Sequence, residues 1–115
     1  MRSVKIQARA GGIGFDWPDA TEVFIKIEEE IAELKSELAR DADRARLEDE
    51  MGDILFAVAN LARKLQIDPE AALRRATAKF ERRFRRVEAL ADKRGTGADL
   101  GALEALWQEV KREER

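Results

Sequence analysis

The chain has 115 residues, of which 44% are hydrophobic and 40% charged, and this composition fits one folded domain rather than a disordered segment. Its formal net charge of -2 gives no general attraction to nucleic acid or to an anionic membrane surface. The absence of cysteine and histidine excludes disulfides, thiol nucleophiles, Ser-His-Asp triads and imidazole metal sites. No apolar run is long enough to cross a bilayer and no leader segment is recognisable, so the sequence predicts a cytoplasmic protein without membrane contacts.

The spacing of apolar residues is helical along nearly the whole chain and predicts successive helices with no strand. We expect helices over residues 2–10, 19–39, 44–66, 68–93 and 100–113. The first helix should end at Gly11-Gly12, and Asp68-Pro69-Glu70 is a strong start signal for the fourth. Long helices with short connections must lie antiparallel to their neighbours. The predicted fold class is therefore all-α, an antiparallel bundle of four to five helices in a single domain over residues 1–115.

Each long helix carries an apolar stripe that the sequence predicts to be buried. The stripe residues are Val23, Ile27, Ile31, Leu34 and Leu38 on the second helix, Leu47, Met51, Ile54, Val58, Leu61 and Leu65 on the third, Leu73, Ala76, Phe80, Phe84, Val87 and Leu90 on the fourth, and Leu103, Leu106, Trp107 and Val110 on the last. A chain of this length builds a thin core, so we expect more apolar surface to be buried in a dimer.

Two pairs of carboxylates are the main candidates for chemistry. Glu30 and Glu33 share one face of the second helix, and Glu50 and Asp53 share one face of the third, because each pair has i,i+3 spacing. If the two helices pack antiparallel, the four acids converge, and a cation is needed to offset their repulsion. Oxygen ligands alone favour Mg²⁺, Mn²⁺ or Ca²⁺ over zinc. The alternative is that each pair belongs to an ordinary solvated helix face.

Cationic and aromatic residues provide candidates for binding a polyphosphate. Lys79 and Arg83 lie one turn apart on a basic fourth helix, and guanidinium and ammonium groups beside a metal site suit phosphate oxygens. Trp107 and Lys111 repeat the i,i+4 spacing on the last helix, and Lys26 precedes Glu30 by one turn. The alternative for the basic helix is solvent exposure with ion pairs to acidic helices.

Five segments together resemble the MazG family of nucleoside triphosphate pyrophosphohydrolases. They are GFDWPD (residues 14–19), KIEEEIAE (26–33), LEDEMGDILFAVANLAR (47–63), ATAKFERRFRRVE (76–88) and LWQEVKREE (106–114). The resemblance implies an all-α NTP pyrophosphatase-like fold, usually a homodimer or a dimer of dimers. It also implies hydrolysis of nucleoside triphosphates to monophosphate and pyrophosphate with Mg²⁺, or Mn²⁺ in its place. The chain looks most like the catalytic C-terminal domain of longer family members.

The resemblance also assigns roles to individual residues. It implies that Glu30, Glu33, Glu50 and Asp53 are the metal ligands and that Glu29 activates the attacking water. Lys79 and Arg83 match the cations that hold the triphosphate, and Trp107 and Lys111 match residues lining the nucleotide site. Asn60 is expected to contact sugar or base, Trp107 or Trp17 to stack on the base, and Lys26 to add positive charge.

Two alternatives to a broad NTP pyrophosphohydrolase stay open at the level of sequence. One is a narrower enzyme on the same scaffold, specific for dUTP or for damaged nucleotides. The other is a non-catalytic helical interaction module whose acidic and basic helices pair with partners. Pyrophosphate release across the common nucleotides, with and without Mg²⁺, separates the three.

Overall fold

The computed structural model describes residues 1–14, 16, 19–95, 97 and 99–114 of the chain. The helices are α1 (Arg2–Gly12), α2 (Ala20–Ala39), α3 (Arg44–Lys64), α4 (Pro69–Arg94) and α5 (Leu100–Glu113). No strand occurs among the described residues, so the prediction of an all-α protein is confirmed. In the same residues, no helix is both long enough and apolar enough to span a membrane.

Aspartate side chains set where three of the helices begin. The carboxylates of Asp19, Asp43 and Asp99 each accept a hydrogen bond from the backbone N–H three residues later, at the start of α2, α3 and α5. Such a cap satisfies an N–H group that has no partner within the helix and is worth about 1 kcal/mol. Asp68 likewise accepts from the backbone N–H of Glu70 in the first turn of α4.

The chain divides into two compact units, and the first covers Met1–Glu70 with α1, α2 and α3. Helix α3 is its centre, because α3 packs against both α2 and α1. The short turn after Ala39 makes α2 and α3 antiparallel, and an ion pair between Arg46 Nε and Glu37 Oε2 at 2.9 Å joins them near this turn. Among the described residues of this unit, the buried apolar ones are Val23, Ala57 and Ala59.

The second unit covers Ala71–Arg115 and contains most of α4 together with α5. Its core is formed by Val87 and Leu90 of α4 and by Leu106 and Val110 of α5, with Ala91, Leu103 and Trp107 packed against them. Ion pairs also join the two helices, including Arg94 Nη1 to Glu109 Oε2 at 2.8 Å. The prediction that both units form one domain over residues 1–115 stays a prediction.

Burial of the complete apolar stripes was predicted, and this expectation is wrong for many stripe residues. Ile31, Leu38, Met51, Val58, Leu65, Leu73, Phe80 and Phe84 are all exposed, each retaining between 39% and 66% of its accessible surface. The stripes are wider than the strip that one neighbouring helix can cover, because side chains within about 100° of arc count as one amphipathic face. On α2 and α3 only one edge of the stripe is covered, on α4 only its C-terminal end, and on α5 no stripe residue is exposed.

Candidate metal centre

Three carboxylates from two helices converge in the first unit. Glu30 of α2 and Glu50 and Asp53 of α3 each contribute one carboxylate oxygen, and these oxygens all lie within 4.8 Å of one another. The antiparallel pairing of α2 and α3 produces this arrangement, since it places the middle of one helix beside the middle of the other. Two oxygens bound to the same Mg²⁺ can be at most about 4.2 Å apart, so small side-chain movements suffice to bind one ion.

The three acids differ in burial, and the difference gives the cluster a closed side and an open side. Glu30 is buried with 5% of its surface exposed, Glu50 is partly buried, and Asp53 is exposed. A site of this kind can hold an ion from the protein side while leaving other coordination positions for water or phosphate oxygens, as Mg²⁺ requires.

Two carboxylate oxygens in the cluster are buried without a hydrogen-bond partner among the described residues. They are Oε2 of Glu30 and Oε2 of Glu50. A buried oxygen without a partner costs free energy, and the cost is larger when it carries charge. A cation bound between them would remove this cost, and with neither cysteine nor histidine in the chain the donor set is one that hard divalent cations prefer.

Lys26 partly neutralises the cluster. Its Nζ lies 2.7 Å from Oε1 of Glu30, one helical turn further along α2. The hydrogen bond to Glu30 is the main cause that raises the pKa of Lys26. Burial opposes it as the next largest effect, and the charges of Glu30, Glu29 and Glu33 add smaller increases. Because Lys26 occupies Oε1, the buried Oε2 of Glu30 is the oxygen left for a cation.

The fourth predicted ligand, Glu33, is beside the cluster rather than within the group of three. Its side chain is exposed, and the charge of Glu30 raises its pKa, with smaller increases from burial and from the charge of Glu50. This effect indicates that Glu33 shares the negative field of the other acids. Glu29 is also exposed on α2, and its charge acts on Lys26.

The predicted triphosphate and base residues of the second unit lie along α4 and α5. Arg83 Nε donates to Oε2 of Glu114 at 2.8 Å, and Lys79 is exposed one turn before it. The ring of Trp107 lies 5.1 Å from that of Phe80, and Lys111 follows Trp107 by one turn. These residues are therefore grouped within one unit, whereas the acids, Lys26 and Asn60 are grouped within the other.

Trp17 and Asn60 are the remaining residues predicted to contact the nucleotide. Trp17, expected to stack on the base, lies outside the described residues. Asn60, expected to contact sugar or base, is completely buried, and its Oδ1 accepts a hydrogen bond from Arg63 Nε at 3.0 Å. A contact between Asn60 and a nucleotide would require movement of the residues that cover Asn60. This contact stays a prediction.

An ion cluster near Asn60 was missed at the level of sequence. Asp16 accepts from Arg63 Nη2 at 2.6 Å and from Lys64 Nζ at 2.7 Å, and all three side chains are less than a fifth exposed. The cluster attaches the loop after α1 to the end of α3. The available signal was the pair of adjacent cations at the end of a helix, which favours an acidic partner, but nothing in the sequence specified which acid.

Comparison with known proteins adds independent information. Residues 20–87 match the family model of the MazG nucleotide pyrophosphohydrolase domain. The nucleoside triphosphate pyrophosphohydrolase of Escherichia coli K12 is 52% identical over 119 aligned residues, covering 99% of this chain and 45% of that protein. The nucleoside triphosphate pyrophosphohydrolase/pyrophosphatase MazG of Thermotoga maritima is 44% identical over 110 residues, covering 93% of this chain and 42% of that protein. The chain thus spans less than half the length of these curated relatives, and no solved structure matches it.

Proposed function

Because the chain belongs to the MazG family of nucleotide pyrophosphohydrolases, we propose that it hydrolyses nucleoside triphosphates to nucleoside monophosphates and pyrophosphate. The observation that carries the proposal is the convergence of Glu30, Glu50 and Asp53, with buried oxygens that lack partners among the described residues. All three acids lie inside the range that matches the family. A cytoplasmic site of action is part of the same proposal.

Mg²⁺, or Mn²⁺ in its place, would be held by Glu30, Glu50 and Asp53, with Glu33 as the fourth carboxylate. When bound, it would neutralise charge on the phosphates and polarise a phosphoryl oxygen. Lys26 would support this site, because its ammonium group binds Oε1 of Glu30 and leaves the buried Oε2 available to a cation.

Hydrolysis also needs a base and positive charge along the polyphosphate. Glu29 is exposed beside the acid cluster and would accept the proton of the attacking water. Lys79, Arg83 and Lys111 would offset the charge that develops as the P–O bond breaks, once Arg83 exchanges Glu114 for a phosphate oxygen. Trp107, or Trp17, would stack on the base, and stacking accepts every base, so broad selectivity is expected.

A pyrophosphate-release assay with the common ribo- and deoxyribonucleoside triphosphates tests the proposal. We expect equal amounts of monophosphate and pyrophosphate, formed only when Mg²⁺ or Mn²⁺ is present. Release of orthophosphate, or no turnover with any nucleotide, would contradict it. Turnover confined to dUTP or to a damaged nucleotide would instead favour the narrower enzyme.

We also propose that the chain forms a homodimer, or a dimer of dimers, through an exposed apolar face of α2 and α3. This apolar face consists of Phe24, Ile31, Leu38, Met51, Leu55, Val58 and Leu65. On α3, Met51, Leu55 and Val58 follow the four- and three-residue spacing of a coiled-coil seam and Leu65 lies seven residues further on, and on α2 the members recur every seven residues. Ile31 follows Glu30 by one residue and Met51 follows Glu50 by one residue, which is a rotation of about 100° in each helix. Because α2 and α3 are antiparallel, the two rotations turn towards the same side of the helix pair. Ile31 and Met51 therefore lie on one common side of the pair, away from the acids.

Light scattering after gel filtration tests the dimer. Leu55 is 62% exposed in the middle of the apolar face, so Leu55→Glu should shift the protein to the mass of a monomer. Leu100→Glu is the matched control, because Leu100 is 80% exposed at the start of α5 and lies outside this face. A monomeric wild type, or equal effects of the two substitutions, would contradict the proposed interface.

A further inference from the structure

The buried amide of Asn60 has a fixed orientation and a free donor. Asn60 has no exposed surface, and its Oδ1 accepts from Arg63 Nε at 3.0 Å. Only an oxygen can accept that N–H, so the opposite end of the amide must be the NH₂ group. This Nδ2 has no hydrogen-bond partner among the described residues. The interior of the first unit therefore contains an unsatisfied donor in a known direction.

Gln7 of α1 presents the complementary case. It is 6% exposed, and its Nε2 donates to the backbone carbonyl oxygen of Phe56 at 2.8 Å. A carbonyl accepts only from a donor, so the free end of this amide must be Oε1, which is buried and has no partner within the described part of the chain. Gln7 thus leaves an unsatisfied acceptor where α1 packs against α3.

The amides of Gln7 and Asn60 both adjoin the same turn of α3. The carbonyl of Phe56 that receives Gln7 Nε2 is also the helical partner of the Asn60 backbone N–H, four residues later. A buried donor and a buried acceptor each carry a cost of about 1–3 kcal/mol if left unpaired. A water molecule can accept from one and donate to the other, and buried waters commonly satisfy groups of this kind.

We infer that Gln7 Oε1 and Asn60 Nδ2 form a binding site for one internal water molecule that joins α1 to α3. Neighbouring contacts also join the end of α1 and the loop after it to α3. Asp16 binds Arg63, and Gly11 lets the chain approach this pair, since a Cβ at Gly11 would lie 3.0 Å from Asp16 Oδ2. Gln7 and Asp16 precede residues 20–87, the range that matches the family model.

Nuclear magnetic resonance can detect this water directly, because Asn60 is the single asparagine in the sequence. Selective ¹⁵N labelling of asparagine gives one side-chain NH₂ signal. We expect NOE and ROE cross-peaks of opposite sign between this NH₂ group and water, which mark a long-lived contact and not proton exchange. Absence of these cross-peaks in the wild type would overturn the inference, as would a scalar coupling showing a direct bond to Gln7.

Substitution of the acceptor provides the matched test. Gln7→Met has nearly the same shape without Oε1, so the long-lived water signal at Asn60 should be lost, whereas Gln108→Met, in exposed surface of α5, should leave it unchanged. A signal retained in Gln7→Met would overturn the assignment of Gln7. A signal lost from the wild type when a nucleoside monophosphate is added would mean that a nucleotide group displaces the water, and this would overturn its role as a permanent part of the contact between α1 and α3.

Thermal unfolding gives a second readout that does not depend on the signal. The wild type, the single variants Gln7→Met and Asn60→Leu, and the double variant form a double-mutant cycle. Because each single substitution already removes one partner of the water, the melting temperature of the double variant should fall by less than the sum of the single decreases. Additive decreases, or single variants more stable than wild type, would contradict a shared water.

Discussion

Replacing Glu50 by glutamine should stabilise the protein in the absence of metal and remove most of its response to Mg²⁺. Glu50 belongs to a group of three carboxylates whose oxygens lie within 4.8 Å of one another. The substitution keeps the size of the side chain and removes one negative charge. It therefore tests whether the acids are held together for a cation or are partners in the ordinary packing of α2 and α3.

The size of the effect follows from the distances. Two unit charges 4.8 Å apart repel by about 0.9 kcal/mol in water and by about 3.5 kcal/mol at an effective dielectric constant of 20. Glu50→Gln removes two of the three repelling pairs. Asp53 is exposed and Lys26 offsets part of the charge of Glu30, so we expect a net gain near the lower limit, about 1–2 kcal/mol. For a chain of this size that is roughly 4–8 °C in melting temperature.

Addition of Mg²⁺ should reverse the order. An ion present at 100 times its dissociation constant stabilises the folded protein by about 2.7 kcal/mol, and the wild type binds it with one more carboxylate than the variant. Melting curves of both proteins in EDTA and in excess Mg²⁺ measure this crossing. Glu48→Gln is the control, because Glu48 is an exposed acid on the same helix outside the group of three. A Glu50→Gln variant less stable than wild type in EDTA would refute the reasoning and identify Glu50 as a structural partner.

Three other results are expected. Asp53→Asn should abolish pyrophosphate release and leave the helical circular dichroism signal unchanged, since Asp53 is exposed. More than a small residual rate at saturating Mg²⁺ would contradict the role of Asp53 as a metal ligand. Lys79→Ala and Arg83→Ala should weaken binding of triphosphates more than of monophosphates in a titration, and equal losses would place these cations elsewhere. Arg94 lowers the pKa of the Glu109 carboxyl, chiefly through a hydrogen bond. The ion pair therefore stabilises the fold fully above pH 4.5, the ordinary pKa of this carboxyl. Its stabilisation is lost as the pH falls through the lowered pKa. Arg94→Gln should therefore be less stable than wild type at pH 7 in chemical denaturation, with a difference that shrinks at acid pH; a constant difference would exclude the ion pair as its cause.

Local signals in the sequence were sufficient for the helices. Asp19, Asp43 and Asp99 precede apolar periodic segments, and each caps the helix that follows. The predicted second helix differs from α2 by one residue at its start, and the last helix has the predicted bounds. Such signals succeed because a cap acts over three residues and needs no knowledge of the remaining chain.

Long-range contacts were harder to obtain from the sequence. Helical spacing placed Glu30, Glu50 and Asp53 on facing sides of two helices, and the structure brings these three together. The same reasoning could not divide a wide apolar stripe into a covered edge and an exposed edge, which is why Ile31 and Met51 were expected inside. It also missed Gln7, because a buried polar side chain depends on which carbonyl lies opposite, and periodicity contains no such information.

Helix α3 has consequences for how this sequence can diverge. Within 21 residues it provides two acids of the candidate metal centre, the buried Asn60, and the part of the apolar face that includes Leu55. A substitution that tunes metal preference, self-association or the attachment of α1 therefore falls among positions that serve the other two. Substitutions without consequence in α3 are therefore expected only at a few sites such as Glu48 and Asp49. The sequence of α3 should change more slowly among descendants than that of α1 or α5, whose exposed residues have fewer roles.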